Sequence, residues 1–107
     1  MLKVSVIIVN YNGNGLITCC LRAYERQNFK NSDVIIVDNG SLDDSLHEIQ
    51  RFLEESRPST LAKLIHLDRN IGFAGGNLEG LRYAKGEYIA LLNNDTEPDE
   101  KWLEELV

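Results

Sequence analysis

Cysteine is scarce in this chain: there are two among 107 residues, and they are adjacent, Cys19 and Cys20. Neighbouring side chains on a helix point in different directions, so this pair cannot close an ordinary disulfide. No second pair is present that would complete a metal site. We therefore expect two reduced, packed thiols and a cytoplasmic protein.

Long apolar runs are also absent, and none approaches the roughly 20 residues of a membrane-spanning helix. The N-terminal MLKVSVIIVNYNG has one lysine, a short apolar run and no small-residue cleavage site, which indicates a strand and not a signal peptide. We expect any association with a membrane to depend on segments that this sequence does not contain.

Positive charge is in the minority, since 11 Lys and Arg against 17 Asp and Glu give a net charge of −6. This excess of acids argues against nonspecific binding to nucleic acid or to an anionic membrane. The composition, 43% hydrophobic and 26% charged, is otherwise that of a globular protein, and 107 residues suffice for one small domain.

Two apolar periodicities alternate along the chain. Four short segments, residues 4–9, 33–38, 63–67 and 87–92, are nearly continuous in apolar residues, as are strands buried on both faces of a parallel sheet. Helical spacing recurs between them in three stripes: Leu16, Cys20, Ala23 and Tyr24; Leu46, Ile49, Phe52 and Leu53; Leu78, Leu81 and Ala84. The alternation predicts an α/β fold, an open, mostly parallel sheet with flanking helices.

The helix boundaries are marked by local signals. Ser41 and Asp44 predict the start of the second helix, and Arg57, which precedes a proline, predicts its end. Gly86 predicts the C-terminal cap of the third helix. Thr96 predicts the start of a fourth, PDEKWLEELV.

All four predicted strands end in polar residues, and ligands of open parallel sheets bind beyond these carboxyl ends. The residues in question are Asn10, Tyr11, Asn12 and Gly13; Asp38, Asn39, Gly40 and Ser41; Asp68, Arg69, Asn70 and Gly72; and Asn93, Asn94 and Asp95. Each loop alone could be an ordinary turn, but their convergence predicts a ligand site.

Two acids stand out at these strand ends. Asp38 lies before the helix-start signal, at the tip of its strand, which favours a ligand role over a capping role. Asp95 follows a buried strand beside two amides, a setting that suits a hard divalent cation with oxygen ligands. The alternative is that Asp95 caps the last helix, but Thr96 is better placed for that.

The segment NIGFAGGN contains Gly72, Gly75 and Gly76, and glycine permits positive φ and a close backbone approach to a ligand. The segment is not a dinucleotide fingerprint, because the order G-x-G-x-x-G is absent and it follows the third strand. A phosphate or sugar that lies against this backbone is consistent with the pattern.

Four segments now match a familiar pattern: VSVIIVNYNG, VIIVDNGSLDDS, RNIGFAGGN and GEYIALLNNDTEPDEKWL, in this order. Together they resemble the nucleotide-binding half of family-2 glycosyltransferases, and most closely the rhamnosyltransferase-like subset. The resemblance covers essentially the whole chain. It implies that residues 1–107 form the Rossmann-like, nucleotide-sugar-binding part of a GT-A fold.

The resemblance implies transfer of a sugar, with inversion, from a nucleotide-diphosphate-sugar donor to an acceptor hydroxyl during glycan or polysaccharide synthesis. Tyr11 and Asp38 match positions beside the nucleotide base, and Asp95 matches the acid that holds Mg²⁺ or Mn²⁺ on the diphosphate. The implied substrate-binding residues are Tyr11, Asn12, Asp38, Asn39, Asn70, Gly72, Gly75, Gly76, Asn93 and Asn94.

The chain also departs from the family pattern. Asn93 and Asn94 stand where many members have acids, so we expect weak metal binding. The general base has no counterpart here and is expected beyond Val107, together with the part that binds a glycan or lipid-linked acceptor. We therefore expect no catalytic residue in this chain, no transfer by it alone, and self-association through the edge that a cut sheet exposes.

Two other classes of function remain open from the sequence. One is a noncatalytic nucleotide-binding module, which is consistent with the missing base. The other is a flavodoxin- or receiver-like interaction domain, which also carries acids at strand tips. A receiver needs a lysine late in the chain beside its phosphorylated acid, and Asp38 has no evident partner of this kind.

Overall fold

A computed structural model describes residues 2–56 and 61–107. Its elements confirm the predicted alternation of strands and helices, and the end of the second helix predicted at Arg57 lies outside the described residues. In chain order they are β1 (Val4–Asn10), α1 (Ile17–Glu25), β2 (Ser32–Asn39), α2 (Ser45–Ser56), β3 (Leu61–Leu67), α3 (Phe73–Leu81), β4 (Tyr88–Leu91) and α4 (Trp102–Leu106).

The described strands form one parallel sheet with the order β3-β2-β1-β4. The chain runs outward from β1 through β2 to β3 and then returns to the other side of β1. The order therefore reverses between β1 and β4, and a crevice for a ligand opens at such a switch point. Asn10 pairs with Asp38 across β1 and β2, so the polar strand ends meet at this edge.

The sheet has helices on both faces. One face packs against α1, α2 and α4 through a core that includes Val6, Ile8 and Ile36. The other face carries a smaller cluster around Ile7 and Val37 under α3. Because both faces are covered, β1 is buried along its whole length, which explains its nearly continuous run of apolar residues.

Helix α3 contradicts the apolar stripe expected from the sequence. Leu78 and Leu81 are exposed, whereas Gly76 and Gly80 are buried. A Cβ added at Gly80 would lie 2.7 Å from a methyl group of Ile7, so the helix backbone itself rests on the sheet. The periodicity failed here because glycine contributes no hydrophobic signal even where it forms the packed face.

Strand β4 also differs from the expectation of burial on both faces. Its residues Tyr88, Ile89 and Leu91 are 53%, 41% and 55% exposed. Strand β4 is an edge of the described sheet, with a partner on one side only. Strand β3 at the opposite edge was also expected to be buried, but Ala62, Lys63 and His66 are exposed. In the described sheet β4 is therefore an unpaired edge with exposed apolar side chains, as predicted.

Three predicted helix boundaries are wrong. Ser41 bonds to Asp38 and not to α2, which begins at Ser45. Gly86 is not the cap of α3, which ends at Leu81. It lets the backbone pass close to β1, since an added Cβ would lie 2.4 Å from the backbone nitrogen of Ser5. Thr96 closes a turn onto the Asn93 carbonyl, several residues before α4.

The two cysteines are free, as expected, but only Cys20 is packed. Cys19 is exposed because the helix turns it away from the sheet. Among the described residues no helix is long and apolar enough to cross a membrane.

Candidate functional site

The centre of the strand-end region is Asn10, the last residue of β1, which is fully buried. Its side-chain amide donates to the Asp38 carboxylate at 3.0 Å and to the Ser45 hydroxyl at 2.9 Å. Its carbonyl oxygen accepts a hydrogen bond of 2.9 Å from the Asn94 amide. One side chain thus joins the ends of β1 and β2 and the residues after β4.

Asp38 is also fully buried, and hydrogen bonds account for its burial. Its Oδ1 accepts from Asn10 and from the Ser41 hydroxyl, and its Oδ2 accepts from the Ser41 backbone N–H. The structure therefore gives Asp38 a clear role in holding two loops together. Direct contact of this carboxylate with a nucleotide base stays a prediction.

Asn39 fastens the loop between β3 and α3. Its Oδ1 accepts from the Ile71 N–H at 2.9 Å, and its Nδ2 donates to the Gly72 carbonyl at 2.9 Å. Gly40 lets the loops approach, with a φ of 73° and backbone of Arg69 only 2.5 Å from where a Cβ would be. Side-chain hydrogen bonds and close backbone contact together join the loops after β2 and β3.

The loop after β1 turns sharply at Asn12, the one non-glycine residue with positive φ, 51°, in the described chain. The Asn12 N–H donates to Ser41, and its side-chain oxygen accepts from the Leu42 N–H. The turn leaves Tyr11 39% exposed at the wall of a cleft.

Among the residues after β4, Asn94 is held by its side chain, whereas Asn93 is held by its backbone. The Asn93 carbonyl accepts from the Cys20 thiol and from the N–H and hydroxyl of Thr96. The Asn93 and Asp95 side chains are exposed, and neither carries a hydrogen bond to another described residue. Burial raises the pKa of the Cys20 thiol to about 12.

A cleft of about 350 Å³ lies between these groups, where the order of the strands reverses. It brings together most of the residues predicted for the site: Tyr11, Asn39, Asn70, Gly72, Asn93, Asn94 and Asp95. Asp38, Asn12, Gly75 and Gly76 support its walls from behind or from the loops and do not line it.

Sequence reasoning missed two residues that line the cleft, and it named Asn10 at a strand end without giving it a role. Val9 and Phe73 line the cleft, and Asn10 joins its parts. A signal for that role was available, because an amide at the end of a largely apolar, buried strand needs buried partners. Phe73 is 60% exposed beside the cleft, and no sequence pattern distinguishes such a residue from a core aromatic.

The oxygen donors of the cleft fit a divalent cation only in part. Within residues 2–56 and 61–107 no group of three His, Cys, Asp or Glu side chains could hold a metal. Asp95 offers one free carboxylate, with two amides beside it. Mg²⁺ is commonly held by one or two carboxylates together with substrate phosphates, so the residues fit a cation that is shared with a diphosphate.

Comparisons with known proteins match this chain along most of its length. The model of glycosyl transferase family 2 matches residues 5–107. The chain is 35% identical, over 86% of its length, to the UDP-Glc:alpha-D-GlcNAc-diphosphoundecaprenol beta-1,3-glucosyltransferase WfaP of Escherichia coli, of which it covers 35%.

Two solved structures are also similar to this chain over most of its length. The S. aureus TarS fragment 1–349 in complex with UDP-GlcNAc superposes with a TM-score of 0.87 at 26% identity, over 98% of this chain and 30% of that one. The mannosyltransferase PcManGT from Pyrobaculum calidifontis, in complex with GDP-Man and Mn²⁺, gives 0.89 at 27% identity, over 94% and 30%. The chain spans about a third of the length of these proteins.

Proposed function

The chain belongs to glycosyl transferase family 2 and has the GT-A type of fold, and on this premise we propose that its cleft binds the nucleoside diphosphate of a sugar donor. The observation that carries the proposal is the meeting of Tyr11, Asn70 and Asp95, from three different loops, around one cleft at the switch point of the sheet. The two structural neighbours hold UDP-GlcNAc and GDP-Man.

The base would lie against Tyr11, whose exposed ring offers a flat apolar surface. Asn39 and Asn70 stand in the same wall, but the Asn39 amide is already bonded to the loop before α3. We therefore expect Asn39 to shape the base end of the cleft, and Tyr11 to make the contact.

The diphosphate would lie at the other end, toward Asn93 and Asp95. Asp95 would hold Mg²⁺ or Mn²⁺ against the phosphate oxygens, and the cation would neutralise the charge that develops on the departing nucleotide. Since Asp95 is the only acid among the described residues that line the cleft, the chain should bind the cation weakly without nucleotide. The Mn²⁺ in the PcManGT complex supports the assignment.

The acceptor and the reaction of the whole protein are also part of the proposal. We expect inversion at the transferred sugar, a general base beyond Val107, and a glycan or lipid-linked acceptor, a class to which the acceptor in WfaP's name belongs. The 107-residue chain should bind donor without transferring sugar. Sugar transfer by the 107-residue chain alone would mean that the general base lies within it.

The receiver-like alternative is not supported, because the acid that it would phosphorylate, Asp38, is fully buried and hydrogen-bonded. The hypothesis of a noncatalytic binding module also predicts that this chain binds a nucleotide. It differs from the proposed function only in whether the whole protein transfers sugar.

One calorimetric screen tests the binding proposal. UDP-, dTDP- and GDP-sugars are titrated into the chain with and without Mn²⁺. We expect one nucleotide to bind, and to bind more tightly with metal. No binding of any nucleotide in either condition would contradict the proposed function.

A further inference from the structure

The orientation of the Asn10 carboxamide is determined by its partners. Asp38 already accepts two hydrogen bonds from Ser41, and it faces the NH₂ group of Asn10. The Ser45 hydroxyl donates its proton to Asp43, so it can only accept from Asn10. Both neighbours therefore require the amide nitrogen of Asn10 on their side.

The consequence reaches the residues after β4. With its nitrogen turned to Asp38, Asn10 presents its carbonyl oxygen to Asn94, which answers with its NH₂ group at 2.9 Å. The carboxamide oxygen of Asn94 is then left free on a side chain that lines the cleft beside Asp95. An oxygen fixed in this way can face a cation or a sugar hydroxyl.

Gly13 shows how tightly this contact is enclosed. A Cβ on Gly13 would lie 2.3 Å from the Asn10 oxygen and 2.6 Å from the Asn94 nitrogen. The Asn10–Asn94 hydrogen bond therefore has a buried glycine packed directly over it, and neither side chain can swing aside on that flank.

We propose that Asn10 is a positioning residue that requires a hydrogen-bond donor at position 94 and thereby aims the Asn94 oxygen into the cleft. The direction toward a metal–diphosphate rests on the proposed function. Position 94 then requires an amide, and Asn94 is not merely a weaker metal ligand that stands in place of an acid. A carboxylate at position 94 would face the Asn10 oxygen, which cannot turn away because Asp38 holds the other end of the amide.

The test compares the same chemical change at neighbouring positions. Asn93→Asp adds an acid beside the cleft, where the side chain has no partner among the described residues, and should tighten binding of UDP, dTDP or GDP in the presence of Mn²⁺. Asn94→Asp adds the same charge but sets two oxygens against each other, so it should weaken that binding about fivefold or more. If Asn94 were simply a weak ligand, both variants would tighten it.

A second readout needs no ligand. In metal-free buffer Asn94→Asp should lower the melting temperature by about 4 °C or more, and Asn93→Asp should leave it unchanged. Gly13→Ala, which crowds the same contact without altering either amide, should lower it as well. Equal melting temperatures for the two aspartate variants would overturn the proposal.

The two readouts separate this inference from the function on which it rests. If no nucleotide binds to the unmodified chain, the proposed function fails, and with it the role toward a metal–diphosphate. The requirement for a donor at position 94 then stands or falls on the melting temperatures alone.

Discussion

The two ends of the cleft are built in opposite ways. One end is supported by Asn10, Asp38 and Asn39 and is here called the closed end; these three side chains are buried and hydrogen-bonded. At the end formed by Asn93 and Asp95, the open end, both side chains are exposed and bonded to no other described residue. One end is complete before any ligand arrives, and the other offers free oxygens to a ligand.

This difference predicts which substitutions in the site should affect the stability of the fold and which should affect only ligand binding. Buried polar groups are costly to leave unpaired, so changes at the closed end should damage the fold and the cleft together. Exposed groups without partners contribute little to folding, so changes at the open end should affect binding alone. Asn94 connects the two ends, through its bond to Asn10.

The largest effect should follow Asp38→Ala. The variant removes one of the acceptors of the buried Asn10 amide and the acceptor of both the N–H and the hydroxyl of Ser41, and a buried polar group left unpaired costs about 1–3 kcal/mol. We expect a clear loss of unfolding free energy, measured by denaturation, and weaker nucleotide binding with or without metal. Asp68→Ala, at an exposed strand end, is the control. Unchanged affinity in metal-free buffer would show that Asp38 takes no part in binding.

Gly40→Ala should have the next largest effect. The new Cβ would meet the backbone of Arg69 at 2.5 Å and would require a positive φ of 73°. We expect a destabilisation of about 1–3 kcal/mol by denaturation. Gly15→Ala is a matched control, because Gly15 has a φ of 82° with open space around it. Equal costs for the two variants would mean that the contact between the loops contributes nothing.

Asp95→Ala tests the open end directly. Unfolding free energy should stay within about 0.5 kcal/mol of the unmodified chain, because the carboxylate has no partner to lose. The tightening of nucleotide binding by Mn²⁺ should disappear in calorimetry, while metal-free binding remains. Glu97→Ala, an exposed acid two residues away, should keep the metal dependence. Equal metal dependence in Asp95→Ala and the unmodified chain would remove the cation from this residue.

The exposed edge beyond the open end should permit self-association. Strand β4 lacks a second partner in the described sheet and exposes Leu91, and such edges pair with other chains. Leu91→Lys should reduce any dimer seen by analytical ultracentrifugation. Leu42→Lys changes an 86% exposed leucine elsewhere and should have no effect. A monomer at all concentrations would contradict this expectation.

The smallest effect concerns the thiol beneath the open end. Burial raises the pKa of Cys20 to about 12, against an ordinary value of 9.0, so the folded chain holds this proton more tightly than the unfolded chain does. Stability should be unaffected below pH 9 and should fall as the pH rises toward 12. Denaturation at pH 8 and pH 10.5 measures this, with Cys20→Ala as the control. Iodoacetamide at pH 8 should label exposed Cys19 before Cys20, and the reverse order would contradict the burial.

Much of the fold was predictable because the two central strands have a distinctive apolar sequence. Residues 4–9 and 33–38 are nearly continuous in apolar residues, which is typical of strands in a sheet covered on both faces. The family could also be predicted, since its four motifs span the whole chain. Helix α3 and strand β4 were predicted with the wrong exposure, because glycine hides a packed face and an edge strand can be as apolar as a central one.

The sequence by itself determined the alternation of strands and helices, the polar strand ends, and the position of Asp95 among them, the acid for which we propose a metal role. These properties depend on side-chain type and local spacing, which can be read without coordinates. Only the tertiary structure decided that Asp38 is enclosed while Asp95 is free, and that Asn10 sets the orientation of Asn94. The physical reason is that a hydrogen bond across 84 positions in the chain depends on strand order and register, which bring together groups that no local pattern connects.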